Sequence, residues 1–309
     1  MQLIFCGTPD FALPTLERLV AEKFAVDLVV TNPDEPSGRG YELKPPPVKQ
    51  VALQIGLEVF QPSKLKDPST VDFLSRYRPD AMVVVAYGHI LPRWMLDLPR
   101  LGCINLHASL LPKYRGAAPM QWALIRGEAV TGVTTMRIDE GLDTGDILLK
   151  REVPIGDEDT TETLSKRLSV LGADLMIETL RRLERGDLEP QPQDHSQATL
   201  APILKKEDGR IDWSLPAKEI CNRVRGLRPW PGAYTTFRGK NLHIWAASVV
   251  MTGEAAEPGT LAASHGTLLV ACGQGTLLEA KEVQWEGRKR LPAREFLNGV
   301  RLSPGESFQ

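Results

Sequence analysis

Through its first half the chain alternates two kinds of pattern. Residues 2–6, 26–30, 81–86 and 102–106 are short apolar runs, often β-branched, and runs of that length bounded by turn residues predict buried strands. Between them, 13–23, 47–55 and 70–77 carry helical patterns. Strand and helix in alternation predict an α/β fold, a Rossmann-like parallel sheet with flanking helices. The pattern continues as a helix over 117–126, strands over 132–138 and 147–153, and a long helix over 160–185. Thr160 and Thr161 are suitable N-caps for that helix, and Gly186 is a suitable stop.

The pattern breaks at 187–204, where three prolines lie among polar residues, and this composition predicts a linker. Beyond it come one helical stretch, 216–227, and five short strands punctuated by glycine and proline at 233–238, 242–249, 259–263, 267–271 and 276–283. Five strands in so short a stretch suit a small C-terminal β-barrel, OB-fold-like, although an SH3-like barrel or a small sandwich fits almost as well. The expected domains are therefore 1–186, catalytic; 187–204, linker; and 205–309, barrel. One further segment has no regular pattern. The stretch 31–47 holds five prolines and two glycines around Arg39 and is far longer than an ordinary strand-to-helix connection. Following a parallel strand, it should emerge where such sheets bind ligands.

Composition changes this picture little. With 309 residues, 42% hydrophobic and 25% charged, the chain is an ordinary globular protein long enough for two cores. No apolar run approaches bilayer-spanning length, and residues 1–7 enter a strand without a signal peptide's basic start, so no membrane is expected and a cytoplasmic location is. Cys6, Cys103, Cys221 and Cys272 are far apart, and buried free thiols are expected. The net charge of -2 hides an asymmetry: from residue 201 onward 15 basic residues face 11 acidic ones. Such a balance is compatible with a C-terminal domain that meets phosphates.

The candidate chemistry lies in two runs, Asn105-Leu106-His107-Ala108-Ser109-Leu110-Leu111-Pro112-Lys113-Tyr114-Arg115-Gly116 and Asp139-Glu140-Gly141-Leu142-Asp143-Thr144-Gly145-Asp146. At the end of a strand, Asn105 and His107 share a face. Asp143, between two glycines that permit a tight turn, is the acid that would orient or charge-compensate the histidine. Amide, imidazole and carboxylate make an acyl-transfer centre; Ser109 is one pleat further on, without a base of its own. Phe5-Cys6-Gly7-Thr8-Pro9 lacks the glycine spacing of a dinucleotide fingerprint, the acidic run lacks calcium-loop spacing, and no metal is expected.

These two runs resemble the signature of enzymes that transfer formyl groups from 10-formyltetrahydrofolate, whose Asn, His and Asp match Asn105, His107 and Asp143. Further blocks, Ser37-Gly38-Arg39-Gly40, Pro47-Val48-Lys49, 206–213 and 227–233, are similar to the branch acting on methionyl-initiator tRNA. The loop departs from that branch where Tyr41 and Glu42 stand in place of two basic residues, with Lys44 following. The resemblance implies a folate cosubstrate held by Ser109, Leu110, Leu111 and Pro112 and by Tyr87, Gly88, His89 and Ile90. It implies tRNA contacts from Arg39, Lys44, Lys205, Lys206 and Arg210, with Arg223 and Arg225 as weaker candidates. The product would be N-formylmethionyl-tRNA for translation initiation, made by a monomer.

Formyl transfer to an amine builds an oxyanion and moves two protons. Asn105 is expected to donate to the oxyanion, His107 to hydrogen-bond the same oxygen or relay the proton, and Asp143 to hold the histidine's tautomer and stabilise its cation. The alternatives are a formyltransferase using a nucleotide-linked amino sugar, a nicotinamide oxidoreductase, disfavoured by the missing glycines, and a non-catalytic RNA-binding protein, disfavoured by the converging polar groups.

Overall fold

The computed structural model describes residues 1–37, 42–250 and 256–309. The chain runs β1 (Gln2–Gly7), α1 (Leu13–Ala21), β2 (Ala25–Val30), β3 (Glu35–Ser37), β4 (Glu42–Lys44), α2 (Pro47–Gln54), β5 (Val59–Phe60), α3 (Pro68–Leu74), β6 (Ala81–Val85), α4 (Arg93–Leu96), β7 (Cys103–His107), α5 (Pro119–Ile125), β8 (Val130–Arg137), β9 (Ile147–Pro154) and α6 (Thr161–Arg185). After these come α7 (Ala217–Gly226), β10 (Ala233–Phe237), β11 (Lys240–Val250), β12 (Leu261–Ser264), β13 (Thr267–Ala271), β14 (Leu277–Trp285), β15 (Leu291–Pro292) and α8 (Ala293–Gly299).

Two compact units emerge. The first gathers Met1–Pro119, Val130–Pro154 and Ser165–Pro202; the second gathers Met120–Ala129, Ile155–Leu164 and Ile203–Gln309. The first unit's sheet has the order β5-β2-β1-β6-β7-β8-β9. The first five strands are parallel, as the strand and helix alternation predicts, whereas β8 and β9 are added antiparallel. Periodicity identifies a strand but not its direction, and the β8 to β9 connection contains no helix, so only a reversal can join them. β6 is wholly apolar, and β1 and β2 are apolar apart from Gln2 and Asp27; one sheet face closes over Ile4, Leu28, Met82, Leu74 and Met95. On β7 the alternation is plain: at Gly172 on α6 an added Cβ would meet Leu106 at 2.5 Å, so Leu106 faces that helix and its neighbours Asn105 and His107 face away.

Two segments differ from expectation. The 31–47 stretch is not wholly irregular, because β3 and β4 form a hairpin with Glu35 opposite Lys44 and Pro36 opposite Leu43. Its base is tied down by Asp34, which accepts from Lys49 Nζ and Gln61 Nε2, each at 2.8 Å. The expected linker is not free either. Gln191 and Ile147 exchange two 2.8 Å backbone hydrogen bonds, and Arg115 and Ala201 are joined at 2.7 Å, which binds this proline-rich stretch to the first unit. Prolines mark the absence of helix and say nothing about pairing through the intervening residues.

In the second unit the sheet order is β10-β11-β14-β13-β12, with β15 on β14. Chain residues 306–309 lie along both outer strands. Leu261 donates to Glu306 at 2.8 Å and Phe308 to Gly259 at 2.9 Å on one side, while Thr236 and Gln309 exchange two bonds of 2.9 Å on the other. The final residues thus close the sheet into a barrel and cover its open edges. Phe237 sits at its centre among Trp285, Phe296 and Phe308. In the same unit α7 is attached through the Thr161 hydroxyl, which donates to the Gly226 carbonyl at 2.7 Å.

All four cysteines are free. Cys6, Cys103 and Cys272 are buried and Cys221 is half-buried. Burial pushes the Cys6 thiol up, Cys103 and Cys272 to about 12, and Cys221 to about 11. Neutral thiols of this kind are poor nucleophiles.

Candidate active site

Strand β7 delivers Asn105 and His107 to one face, and the loop after β8 brings the acid to them. That loop leaves β8 beside the start of β7, where Ile104 is opposite Arg137 and Ile138 donates to the Cys103 carbonyl at 2.8 Å. To reach His107, near the other end of β7, it doubles back over the face that carries Asn105. Its fold is held internally by Asp139, which accepts from the Thr144 hydroxyl at 2.7 Å and the Gly141 N–H at 3.0 Å. A Cβ on Gly145 would overlap the Arg137 carbonyl. Asp143 itself adopts φ 51°, a left-handed conformation uncommon for a residue with a side chain.

The resulting geometry separates the two nitrogens of His107. Nε2 lies 2.8 Å from the Tyr114 carbonyl, an acceptor only, so in the neutral ring that nitrogen carries the hydrogen. Nδ1 lies 3.7 Å from Asp143 Oδ2, and the same carboxylate oxygen accepts from the Gly116 N–H at 2.8 Å. The histidine is 6% exposed and the aspartate side chain 17%. The tautomer is therefore set by Tyr114 rather than by the acid, which differs from the sequence expectation. Asp143 is placed to stabilise a proton arriving at Nδ1. The half-buried Asn105 amide makes no hydrogen bond to another described residue and is available to an oxygen.

Ser109 is engaged otherwise. Its hydroxyl donates to the Lys113 carbonyl at 2.6 Å, and its own carbonyl accepts from Thr134 Oγ1 at 2.6 Å. Leu111 N–H reaches the same threonine at 3.2 Å, and the Leu111 side chain is buried with Met136 and Ile147. Leu110 and Pro112 are half-buried. After β6, the Tyr87 side chain belongs to the core, Gly88 has φ 84°, and His89 Nε2 meets Asn32 Oδ1 at 2.9 Å. Ile90 is 89% exposed. Tyr87 and Leu111 thus have backbone alone to offer a ligand, whereas Ile90 offers an apolar side chain.

Of the expected phosphate contacts, Arg39 lies outside the described residues. Lys44 is exposed on β4, and Lys205, Lys206 and Arg210 are exposed in the second unit; these last three make no ion pair with another described residue. Arg223 and Arg225 are engaged internally, at the carbonyls of Asp208 (2.8 Å) and Gly156 (2.9 Å). A feature the sequence did not announce is a stack on β10 and β11. Tyr234 lies 5.7 Å from His243, His243 lies 5.4 Å from Trp245 at 10°, and the Arg290 guanidinium is 4.1 Å above Trp245. Aromatic identity was visible in the chain, but cross-strand register was not.

A free amide beside a histidine of one tautomer, with the neighbouring hydroxyl engaged elsewhere, suits direct acyl transfer rather than a covalent relay. Residues 1–180 match the formyl transferase family and residues 203–301 match the formyl transferase C-terminal domain, and the chain belongs to this family. It is 57% identical over 308 residues to methionyl-tRNA formyltransferase of Solibacter usitatus (strain Ellin6076), covering 100% of this chain and 98% of that protein. Methionyl-tRNA formyltransferase of Geobacter sulfurreducens (strain ATCC 51573 / DSM 12127 / PCA) is 52% identical, with 99% and 96% covered. Among solved structures, the N-formyltransferase of Helicobacter canadensis in complex with folinic acid and dTDP-3-aminofucose superposes with TM-score 0.69 at 18% identity, over 90% of this chain and 98% of that one. HypX from Aquifex aeolicus gives TM-score 0.65 at 18% identity; 98% of this chain is matched, but it spans only 48% of HypX. At such identities the two structures speak for the fold alone.

Proposed function

We infer that this chain transfers the formyl group of 10-formyltetrahydrofolate to the amino group of methionyl-initiator tRNA. The observation that carries the acceptor is the 57% identity, sustained over both units, with a methionyl-tRNA formyltransferase. The stack of Tyr234, His243, Trp245 and Arg290, with the exposed charges of Lys205, Lys206 and Arg210, fits a partner made of bases and phosphates. Arg39 and Lys44 complete the proposed tRNA contacts. Initiator tRNA is charged in the cytoplasm, and the enzyme acts there.

In this reading the methionyl amine attacks the formyl carbon, a C–N bond forms, and the carbonyl oxygen becomes an oxyanion to which the Asn105 amide donates. His107 has its only neutral-state N–H engaged by Tyr114, so of the two expected roles, relay through Nδ1 is the one supported. The proton leaving the amine arrives at Nδ1, where Asp143 stabilises the imidazolium. Collapse of the intermediate breaks the bond to the folate nitrogen, which takes that proton. Ser109 to Pro112 and Tyr87 to Ile90 hold the folate, chiefly through backbone.

The test is an assay of the purified protein with 10-formyltetrahydrofolate and either charged initiator tRNA or nucleotide-linked amino sugars. Formylation of the tRNA is expected. Formylation of a sugar with the tRNA untouched would overturn the acceptor.

A further inference from the structure

Arg115 is 7% exposed, yet no carboxylate pairs with it among the described residues. A buried guanidinium without a counter-charge is costly, so what it touches matters. Its Nε and Nη2 converge on one atom, Gln193 Oε1, at 3.1 and 2.7 Å, and Nη2 also meets His195 Nδ1 at 3.1 Å. Since a guanidinium only donates, the Gln193 side chain must turn its oxygen toward Arg115 and its NH2 group away. That NH2 group donates to the carbonyl of Asp143 at 2.9 Å and the carbonyl of Gly145 at 2.7 Å. One amide therefore clamps the turn in which Asp143 holds its left-handed φ. The residues on either side of Arg115 contact the site as well: the Tyr114 carbonyl holds His107, and the Gly116 N–H holds the Asp143 carboxylate.

We propose that Gln193, oriented by the buried Arg115, is a positioning residue that sets Asp143 against His107. The assignment rests on the reading of Asp143 as part of the reacting centre. Gln193 lies in the proline-rich stretch expected to be a linker, and the clamp gives that stretch a part in catalysis. Glutamate at the position could still accept from Arg115 but could not donate to the two carbonyls; methionine could do neither.

The experiment measures kcat and both KM values for Gln193→Glu, Gln193→Met, Asp143→Asn and the double variant Gln193→Glu/Asp143→Asn in the full-length chain, with folding followed by circular dichroism. Either Gln193 variant should lower kcat about 100-fold, the order expected for a misplaced catalytic group, with both KM values little changed. The double variant should be no slower than about threefold below Asp143→Asn alone, because groups acting as a unit are not additive. A folded Gln193 variant with near-native kcat overturns the proposal while leaving Asp143 in place. A near-native Asp143→Asn overturns the role of Asp143 and the clamp with it. Losses that multiply in the double variant show that Gln193 acts by another route and also overturn it. Should both Gln193 variants misfold, Arg115→Lys, which keeps the charge but lacks the fork, carries the same comparison. If that variant too fails to fold, the clamp is a folding element and the proposal is overturned.

Discussion

His107 and Tyr114 are joined side chain to backbone at 2.8 Å, so the ring presents Nδ1, not Nε2, to the Asp143 carboxylate. A neutral histidine held this way is prepared to receive a proton at Nδ1 first, and can pass it on only after that. His107→Gln should reduce kcat by about 100-fold to 10,000-fold, and Asn105→Ala by about 100-fold to 1000-fold, with melting temperatures close to native. Steady-state kinetics decide the matter; near-native turnover by either variant removes that residue from the chemistry.

Gly145→Ala should lose about 100-fold in rate while the rest of the first unit stays folded. The added methyl would overlap the Arg137 carbonyl, and relief requires movement of the loop two residues from Asp143. Displacement of the order of 1 Å costs roughly 100-fold in rate. A crystal structure of the variant with the loop unmoved and activity retained would contradict this account.

Phe237 is 1% exposed and touches the ring that the C-terminal residues contribute through Phe308. Phe237→Ala should destabilise the second unit by about 3–5 kcal/mol. Hydrogen exchange resolves the effect by unit, and amides of β10 to β14 should lose protection first.

Burial, and after it the charge of Lys206, holds His243 below its ordinary value of 6.5, with Glu286 acting in the opposite direction. The folded state favours the neutral ring, so the unfolded chain binds the proton first as pH falls. This contribution to stability is present above about pH 6.5 and is lost as pH drops through the depressed folded value. Melting temperature should therefore fall on acidification in that window. In His243→Phe the fall should be shallower; an identical profile would show that the ring is not buried as described.

Replacing Lys205, Lys206 and Arg210 by alanine should weaken tRNA binding and leave folate binding alone. The dependence of log affinity on log salt should flatten by about 0.7 to 0.9 for each phosphate contact removed. An unchanged slope would mean that these exposed charges face solvent only.

Much of this molecule can be read from its residues, and the parts that cannot share a cause. The strands β1, β2, β6 and β7 are short and mostly apolar, and the glycines around Asp143 mark a turn, so local pattern suffices for both. The antiparallel addition of β8 and β9, the β3 and β4 hairpin and α8 were missed because direction, short pairing and short helices leave little periodic trace. Gln193 was missed for a stronger reason. It lies 50 residues from Asp143 in sequence, in a stretch whose prolines suggest a connector, and nothing local distinguishes it from any polar residue. Its partner left a fainter trace, as Arg115 lies inside the motif. Tyr114 and Gly116 act through backbone atoms, which residue identity does not reveal.

The four neutral thiols are divided evenly, Cys6 and Cys103 in the first unit, Cys221 and Cys272 in the second. Cys6, Cys103 and Cys272 are buried, so an alkylating reagent reaches them only when the structure around them opens, whereas half-buried Cys221 serves as the faster-reacting reference. The chain consequently carries its own clock for spontaneous opening. Timed alkylation followed by peptide mass analysis would report which unit breathes more often, and whether bound folate slows one and leaves the other unaltered.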